Sequence, residues 1–359
     1  MRNTKRWLVC AFVPVAALLG AAAVPVTATA APDTGSLIAP IGVDTEVTFE
    51  SDGLIFFGSL RTPQHPVTGT AALLLPGSGP TDRNGNQPGI SADTLIRIAN
   101  ILADHGIPSL RFDKFGSGAT GLGGLAPEAV AGYGFADQID HAAAAAALLR
   151  DRTGVGPDGL LVLGHSEGAL TALALADRGV TPTGIGLLQP LPMRYLDLLR
   201  AQISVQLDGA TASGQMPPGE ADTVRADLER TVESLRATGT VPSDVHPMLA
   251  QLGLNAANAK FLSEADALDP SVLAAGLPES TSVLLTCSDK DLNVSCAQVG
   301  PLRDALAHTS VDLHRFGTAS HLLKELGPVP PSILDTLVPL PMSTEFSAAL
   351  NEWAGGHGR

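Results

Sequence analysis

The chain has 359 residues, 45% of them hydrophobic and 38 of them glycine, and sets 36 acidic against 22 basic side chains for a formal charge of −14. So acidic a balance disfavours DNA, RNA or anionic lipid as partners. The length suits one large α/β domain with an insertion, or two domains, and cysteine is scarce, at three residues.

The first element is a targeting segment. "MRNTKRW" is positively charged, "LVCAFVPVAALLGAAAVPV" is apolar, and "TATAAPD" puts small residues at the −3 and −1 positions of a cut after Ala30. Residues 1–30 therefore read as a secretory signal peptide. The rival, an uncleaved membrane anchor, is interrupted by Pro14 and Pro25, and Cys10 lies too early in the apolar run for a lipoprotein. No later segment is long and apolar enough to span a bilayer. Losing the leader removes Arg2, Lys5 and Arg6 and leaves 36 acidic against 19 basic residues. It also leaves two cysteines, Cys287 and Cys296. They are either a disulfide or two buried thiols, and an exported location favours the disulfide.

"DTEVTFES" and "LIFFGSLRTP" read as a hairpin, after which strand and helix alternate. "GTAALLLPGSGP" is a buried strand running into a glycine loop. "SADTLIRIANILADHG" is a helix with Ser91 or Asp93 as N-cap and Gly106 as its stop. "IPSLRFD", "GLLVLGHS", "GIGLLQP", "TSVLLTCSD" and "VDLHRFGTA" are strands; "FADQIDHAAAAAALLRD", "EGALTALALADRG" and "CAQVGPLRDALAHT" are helices. Such alternation implies an α/β fold with a mostly parallel central sheet and helices on both faces. Its active site belongs beyond the carboxyl ends of the strands. Residues 193–275 break the rhythm with helical spacing alone, as at Val224, Leu228, Val232 and Leu235. They read as a helical cap inserted between two parts of one core, residues 31–192 and 276–359.

The chemistry centres on "GHSEG", residues 164–168. The G-x-S-x-G pattern alone is weak in so glycine-rich a chain, but here a strand enters it and a helix leaves. That is the setting of a nucleophile elbow, which holds a serine on a sharp turn with a helix N-terminus behind it. Ser166 is thus the candidate nucleophile, and it needs a base that a third group orients. The order Ser, acid, His places the acid after a late strand and the base after the last one. His321 fits as base, whereas His308 falls on a helix, His314 within a strand and His357 in the tail. Spacing does not choose between Asp289 and Asp291 as the acid.

From about residue 43 to 350 the chain resembles the α/β-hydrolase family, particularly its bacterial carboxylesterases related to serine aminopeptidases. The likeness rests on residues 77–86 ("GSGPTDRNGN"), 111–118 ("RFDKFGSG"), 164–168, 269–270, 288–294 and 320–323, in that order. It implies that Asp291, not Asp289, is the acid. Three positions depart from the family's pattern: Phe115 stands for its arginine, Ser288 for a glycine and Ser295 for a proline. The last two flank the Cys287–Cys296 pair, so a disulfide would staple the acid's loop. An oxyanion hole would take the backbone N–H of Glu167, next to the nucleophile, and that of Ser78 in the early glycine loop, with Asp82 and Arg83 bracing the loop.

The expected function is hydrolysis of small to medium acyl esters by an exported serine carboxylesterase needing no metal or cofactor. Met193, Tyr195, Leu196, Phe261 and Leu262 are expected to line the acyl pocket. An aminopeptidase of the same fold would want acidic cap residues for the substrate amine, with Glu220, Asp222 and Glu233 available. A non-catalytic binding protein would have no need of the intact triad. The glycine loop lacks the Lys-Ser/Thr ending of a phosphate-binding loop, and Ser166 excludes enzymes that use Asp or Cys at that point.

Overall fold

The computed structural model describes residues 41–67 and 69–358. The expected leader, residues 1–30, lies outside them. Strands β1 (Val43–Ser51) and β2 (Leu54–Thr62) form an antiparallel hairpin. Asp52 and Gly53 turn it with φ 51° and 73°, the two positive values that match the twist of the flanking strands.

Beyond the hairpin come β3 (Ala71–Leu75), α1 (Thr94–Asp104), β4 (Ser109–Phe112), α2 (Phe135–Thr153), β5 (Leu160–His165), α3 (Glu167–Asp177) and β6 (Gly184–Leu188). Five α-helices follow: α4 (Tyr195–Ala212), α5 (Pro218–Thr238), α6 (Pro247–Gln251), α7 (Ala259–Asp266) and α8 (Pro270–Ala275). The chain then returns to the sheet through β7 (Ser282–Ser288), α9 (Gly300–Ala305), β8 (Ser310–Phe316) and α10 (Thr344–His357).

The eight strands lie in the order β1-β2-β4-β3-β5-β6-β7-β8. β2 pairs antiparallel with β4, and every pairing from β4 onward is parallel. Alternate residues of each strand must face opposite sides, and both sides are apolar. Ala71, Leu73 and Leu75 of β3 face one core with α2, α3 and the helices between β6 and β7. Ala72 and Leu74 face the other, against Leu95, Ile98 and Leu102 of α1 and Phe346, Leu350 and Trp353 of α10. Leu160 and Val162 against Leu161 and Leu163 repeat the division on β5. Each central strand is therefore a continuous apolar run.

Three local expectations differ. Asp93 stands before α1 but has φ 55°, and its carboxylate accepts from Asn86 Nδ2 at 3.0 Å instead of capping the helix. The helix expected over "CAQVGPLRDALAHT" is a single 3₁₀ turn, Cys296–Gln298, followed by the six residues of α9, because Gly300-Pro301 can start a helix but not continue one. His308 consequently sits in a turn beyond α9, its ring Nε2 2.8 Å from Leu277 O. α10 has no counterpart among the expected elements, and His357 is its last residue. Among the described residues no helix is long and apolar enough to cross a membrane.

Candidate active site

β5 ends at His165 and α3 begins at Glu167, leaving Ser166 alone in the turn at φ 55°, ψ −119°. An L-residue adopts that conformation only under constraint, and the constraint is backbone contact. A Cβ at position 164 would lie 2.1 Å from Gly168 O, and one at 168 would lie 2.4 Å from Leu75 O. Both glycines of the motif are thus demanded by close approach. Ser166 N donates to Leu188 O at 2.9 Å, fastening the turn to β6.

The loop after β8 brings His321 to the serine, with Nε2 3.0 Å from Ser166 Oγ. The other ring nitrogen, Nδ1, is 2.8 Å from Asp291 Oδ2. Asp291 Oδ1 accepts from the backbone N–H of Asn293 and Val294 at 2.7 and 2.9 Å. Its carboxylate is fully buried and committed on both oxygens. Asp289, two residues earlier, faces outward and pairs with the exposed guanidinium of Arg315 at 2.7 Å. The turn that follows β7 thus separates two aspartates that spacing could not, leaving Asp289 exposed and Asp291 buried.

Two further ties hold these loops. Cys287 and Cys296 are joined in a disulfide that brackets Asp291. Ser288 Oγ donates to Ala319 O at 2.5 Å, so the side chain found where the family has glycine links the end of β7 to the approach of His321. The sequence reading missed a third tie. His165 is buried, and its Nε2 lies 2.7 Å from His321 O. Burial, with His321 adjacent, pushes the His165 pKa down to about 4, so the ring is neutral at pH 7. Since a carbonyl can only accept, Nε2 carries the proton.

Ser78 lines the same cleft as Ser166 and His321. Its carbonyl accepts from Thr81 Oγ1 and Gln87 Nε2, both at 2.8 Å. Asp82 Oδ1 accepts from the N–H of Asn84 and Asn86, and Arg83 reaches Asp113 at 2.9 Å and Glu46 at 2.6 Å. The glycine loop is therefore braced from within and from β1 and the segment after β4. The Glu167 side chain is fully buried and accepts from Tyr195 OH at 2.9 Å and Gln138 Nε2 at 3.1 Å. Its backbone N–H, the first of α3, has no intrahelical acceptor. Phe115, in place of the family's arginine, is buried and stacks on Tyr133 with centroids 4.4 Å apart.

α4 presents Tyr195, Leu198, Leu199 and Gln202 to the cleft, one face of the helix. Leu191 and Val294 add apolar surface, and no Asp or Glu is among the lining residues. Of the five residues expected to line an acyl pocket only Tyr195 does so. Leu196, Phe261 and Leu262 are core, and Met193 packs against that core from a partly buried position. Helical spacing marked α4 as a helix but could not tell which of its apolar residues pack against α5 and α7 and which face the cleft.

A second, smaller hollow adjoins the first, sharing Asn293, His321, Leu322 and Thr336 and adding Lys290, Leu292, Ser320, Ser332 and Asp335. Its outer wall is a strap, residues 326–342, held by two lysines. Lys324 Nζ donates to the carbonyls of Asp335, Thr336 and Val338 at 3.4, 3.2 and 3.0 Å, and Lys290 Nζ to those of Gly327 and Val329. Among the described residues no cluster of three His, Cys, Asp or Glu side chains could hold a metal ion.

No family model matches the sequence, and no curated protein is significantly similar to it. Solved structures are. An esterase of Pyrococcus furiosus superposes with a TM-score of 0.54 at 15% identity, over 87% of this chain and 90% of that one. A proline iminopeptidase of Mycobacterium smegmatis gives 0.53 at 16%, over 88% and 99%. Est1E from Butyrivibrio proteoclasticus gives 0.51 at 13%, over 87% and 98%. The chain has the α/β-hydrolase fold.

Proposed function

We propose that the protein is an exported serine hydrolase, a carboxylesterase acting on small to medium acyl esters. The observation that carries this reading is the unbroken hydrogen-bonded line from Ser166 Oγ through the His321 ring to Asp291. In the proposed mechanism His321 takes the Ser166 proton as Oγ attacks the acyl carbonyl. Asp291, acceptor-only at Oδ2, holds Nδ1–H and stabilises the imidazolium. The N–H groups of Ser78 and Glu167 donate to the oxyanion of the tetrahedral intermediate. The alcohol leaves with the proton from His321, and water then repeats the sequence on the acyl-enzyme.

An ester substrate fits better than an aminoacyl one. The cleft beside Ser166 is lined by leucines, Val294 and neutral polar groups, with no carboxylate to receive an ammonium, and Asp335 in the adjoining hollow already accepts from Ser332 N at 2.6 Å. Glu220, Asp222 and Glu233, which an aminopeptidase would want in the cleft, are exposed on α5. In this reading the helices between β6 and β7 act as a cap over the carboxyl edge of the sheet, supplying the acyl wall through α4. The leader exports the chain to an oxidising compartment, as the Cys287–Cys296 disulfide requires to persist.

The test is hydrolysis of p-nitrophenyl esters from acetate to palmitate by protein starting at Ala31. Activity should be greatest on short and medium chains. Ser166→Ala should lower kcat by at least about 10⁴-fold. Ester turnover that survives this substitution would sink the reading, as would faster turnover of aminoacyl p-nitroanilides than of any ester.

A further inference from the structure

The segment after β4 sends one lysine under the glycine loop. Lys114 Nζ donates to Gly77 O at 2.7 Å and to Glu167 Oε1 at 3.1 Å, and all three residues are buried. The carbonyl of Gly77 and the N–H of Ser78 belong to one peptide unit, held planar by resonance. Fixing the oxygen therefore fixes the direction of the Ser78 N–H. The next peptide is pinned as well, through Ser78 O, by Thr81 and Gln87. On the other side Lys114 meets the carboxylate of Glu167, the residue whose N–H opens α3.

We infer that Lys114 is a positioning residue for catalysis: its ammonium, paired with Glu167, aims and polarises the Gly77–Ser78 peptide as an oxyanion donor and ties it to the second donor at Glu167. The inference rests on the Ser166 esterase reading and deepens it. Three features support the role over simple charge neutralisation. The carboxylate already receives two neutral donors, Gln138 and Tyr195, so the lysine is not its sole partner. The shorter of the two lysine contacts goes to the peptide carbonyl and not to the carboxylate. A cation on an amide oxygen draws electron density from its nitrogen, and hydrogen bonds in such a chain strengthen one another in a low-dielectric interior. The loop is also in close contact with the nucleophile, since a Cβ on Gly77 would sit 3.3 Å from Ser166 Cβ.

The experiment compares wild type, Lys114→Met and Lys114→Met/Glu167→Gln, with Ser166→Ala alongside. The readouts are kcat and KM on p-nitrophenyl butyrate, thermal melting, and inhibition by an aryl trifluoromethyl ketone, which forms an anionic tetrahedral adduct with the serine. The single variant strands a buried carboxylate and is expected to melt early. The double variant removes both charges and should melt near wild type. Both should lose about 10- to 100-fold in kcat, below the cost of deleting an oxyanion donor outright. KM should stay within about threefold, while the ketone binds more weakly by the same factor as kcat. A folded double variant with kcat within about twofold of wild type overturns the positioning role. So does a kcat loss with unchanged ketone affinity. If the lysine variants stay active while Ser166→Ala is dead, this inference alone fails; if wild type turns over no ester, the esterase reading fails and takes it along.

Discussion

The two halves of the site are built by different physics. The half proposed to supply the nucleophile, from β5 through Ser166 into α3, is fixed by backbone contacts, and its rigidity is steric: Gly164 against Gly168, Gly168 against Leu75 of the neighbouring strand. The half that carries Asp291 and His321 lies on loops after β7 and β8, thirty residues apart in sequence. It is held by side chains: the disulfide, the Ser288 hydroxyl, and the His165 ring reaching across from the nucleophile half. The first half is specified by backbone alone, within the sheet's own strands. The second exists only when distant segments are already folded together.

Three experiments press on that difference. The largest effect is expected at the two aspartates. Asp291→Asn should lower kcat by about 10³- to 10⁴-fold, since His321 loses the partner that sets its tautomer. Asp289→Asn breaks only an exposed pair with Arg315 and should change kcat by less than about twofold. Comparable losses in both variants would mean that the loop half does not distinguish its acids as its geometry implies.

The second concerns the bridge between the halves. The folded state holds the His165 pKa down to about 4, against about 6.5 in an unfolded chain. Above pH 6.5 the ring is neutral in both states and its contribution is complete. As pH falls from about 6.5 to 4 the unfolded chain binds the proton first, and stability should drop by about 3 kcal/mol. Urea unfolding of wild type and His165→Gln across that range checks the sign: the variant should lack this part of the slope. Equal slopes would mean the ring is not held neutral.

The third is the smallest. Replacing Cys287 and Cys296 by serine opens a short loop, worth about 2–3 kcal/mol by chain entropy. The loss should appear in urea unfolding together with a several-fold fall in kcat, because Asp291 lies inside the loop. Stability lost with kcat untouched would show that hydrogen bonds alone place the acid.

The same division governs what the sequence discloses. Strand and helix alternation is written in short apolar runs and helical spacing, and the fold follows from it. Gly164, Ser166 and Gly168 fall within five consecutive residues, so the elbow is readable as a motif. His321 was found by chain order, and Asp291 only by resemblance, since a strand's exit angle is not encoded in the spacing of 289 and 291. His165 was missed because its work is done through a carbonyl 156 residues away. The cleft face of α4 was misjudged because it carries apolar residues on two sides, one toward α5 and α7 and one toward the cleft. α10 and the strap lie where alternation has ended and no motif remains.

The strap illustrates how a binding wall can change without losing its footing. Lys324 and Lys290 grip main-chain oxygens, which every residue supplies, rather than side chains. Substitutions in the strap that keep the course of its main chain therefore leave this anchorage in place, whereas Ser332, whose Oγ accepts from Leu334 N at 3.2 Å, also caps the turn at 333–336. Lys290 adjoins Asp291 and Lys324 follows His321 by three positions, so the strap is hung from the proposed reactive centre itself. Variation in substrate preference among descendants of this chain should accumulate there first, as a change of lining on an unchanged frame.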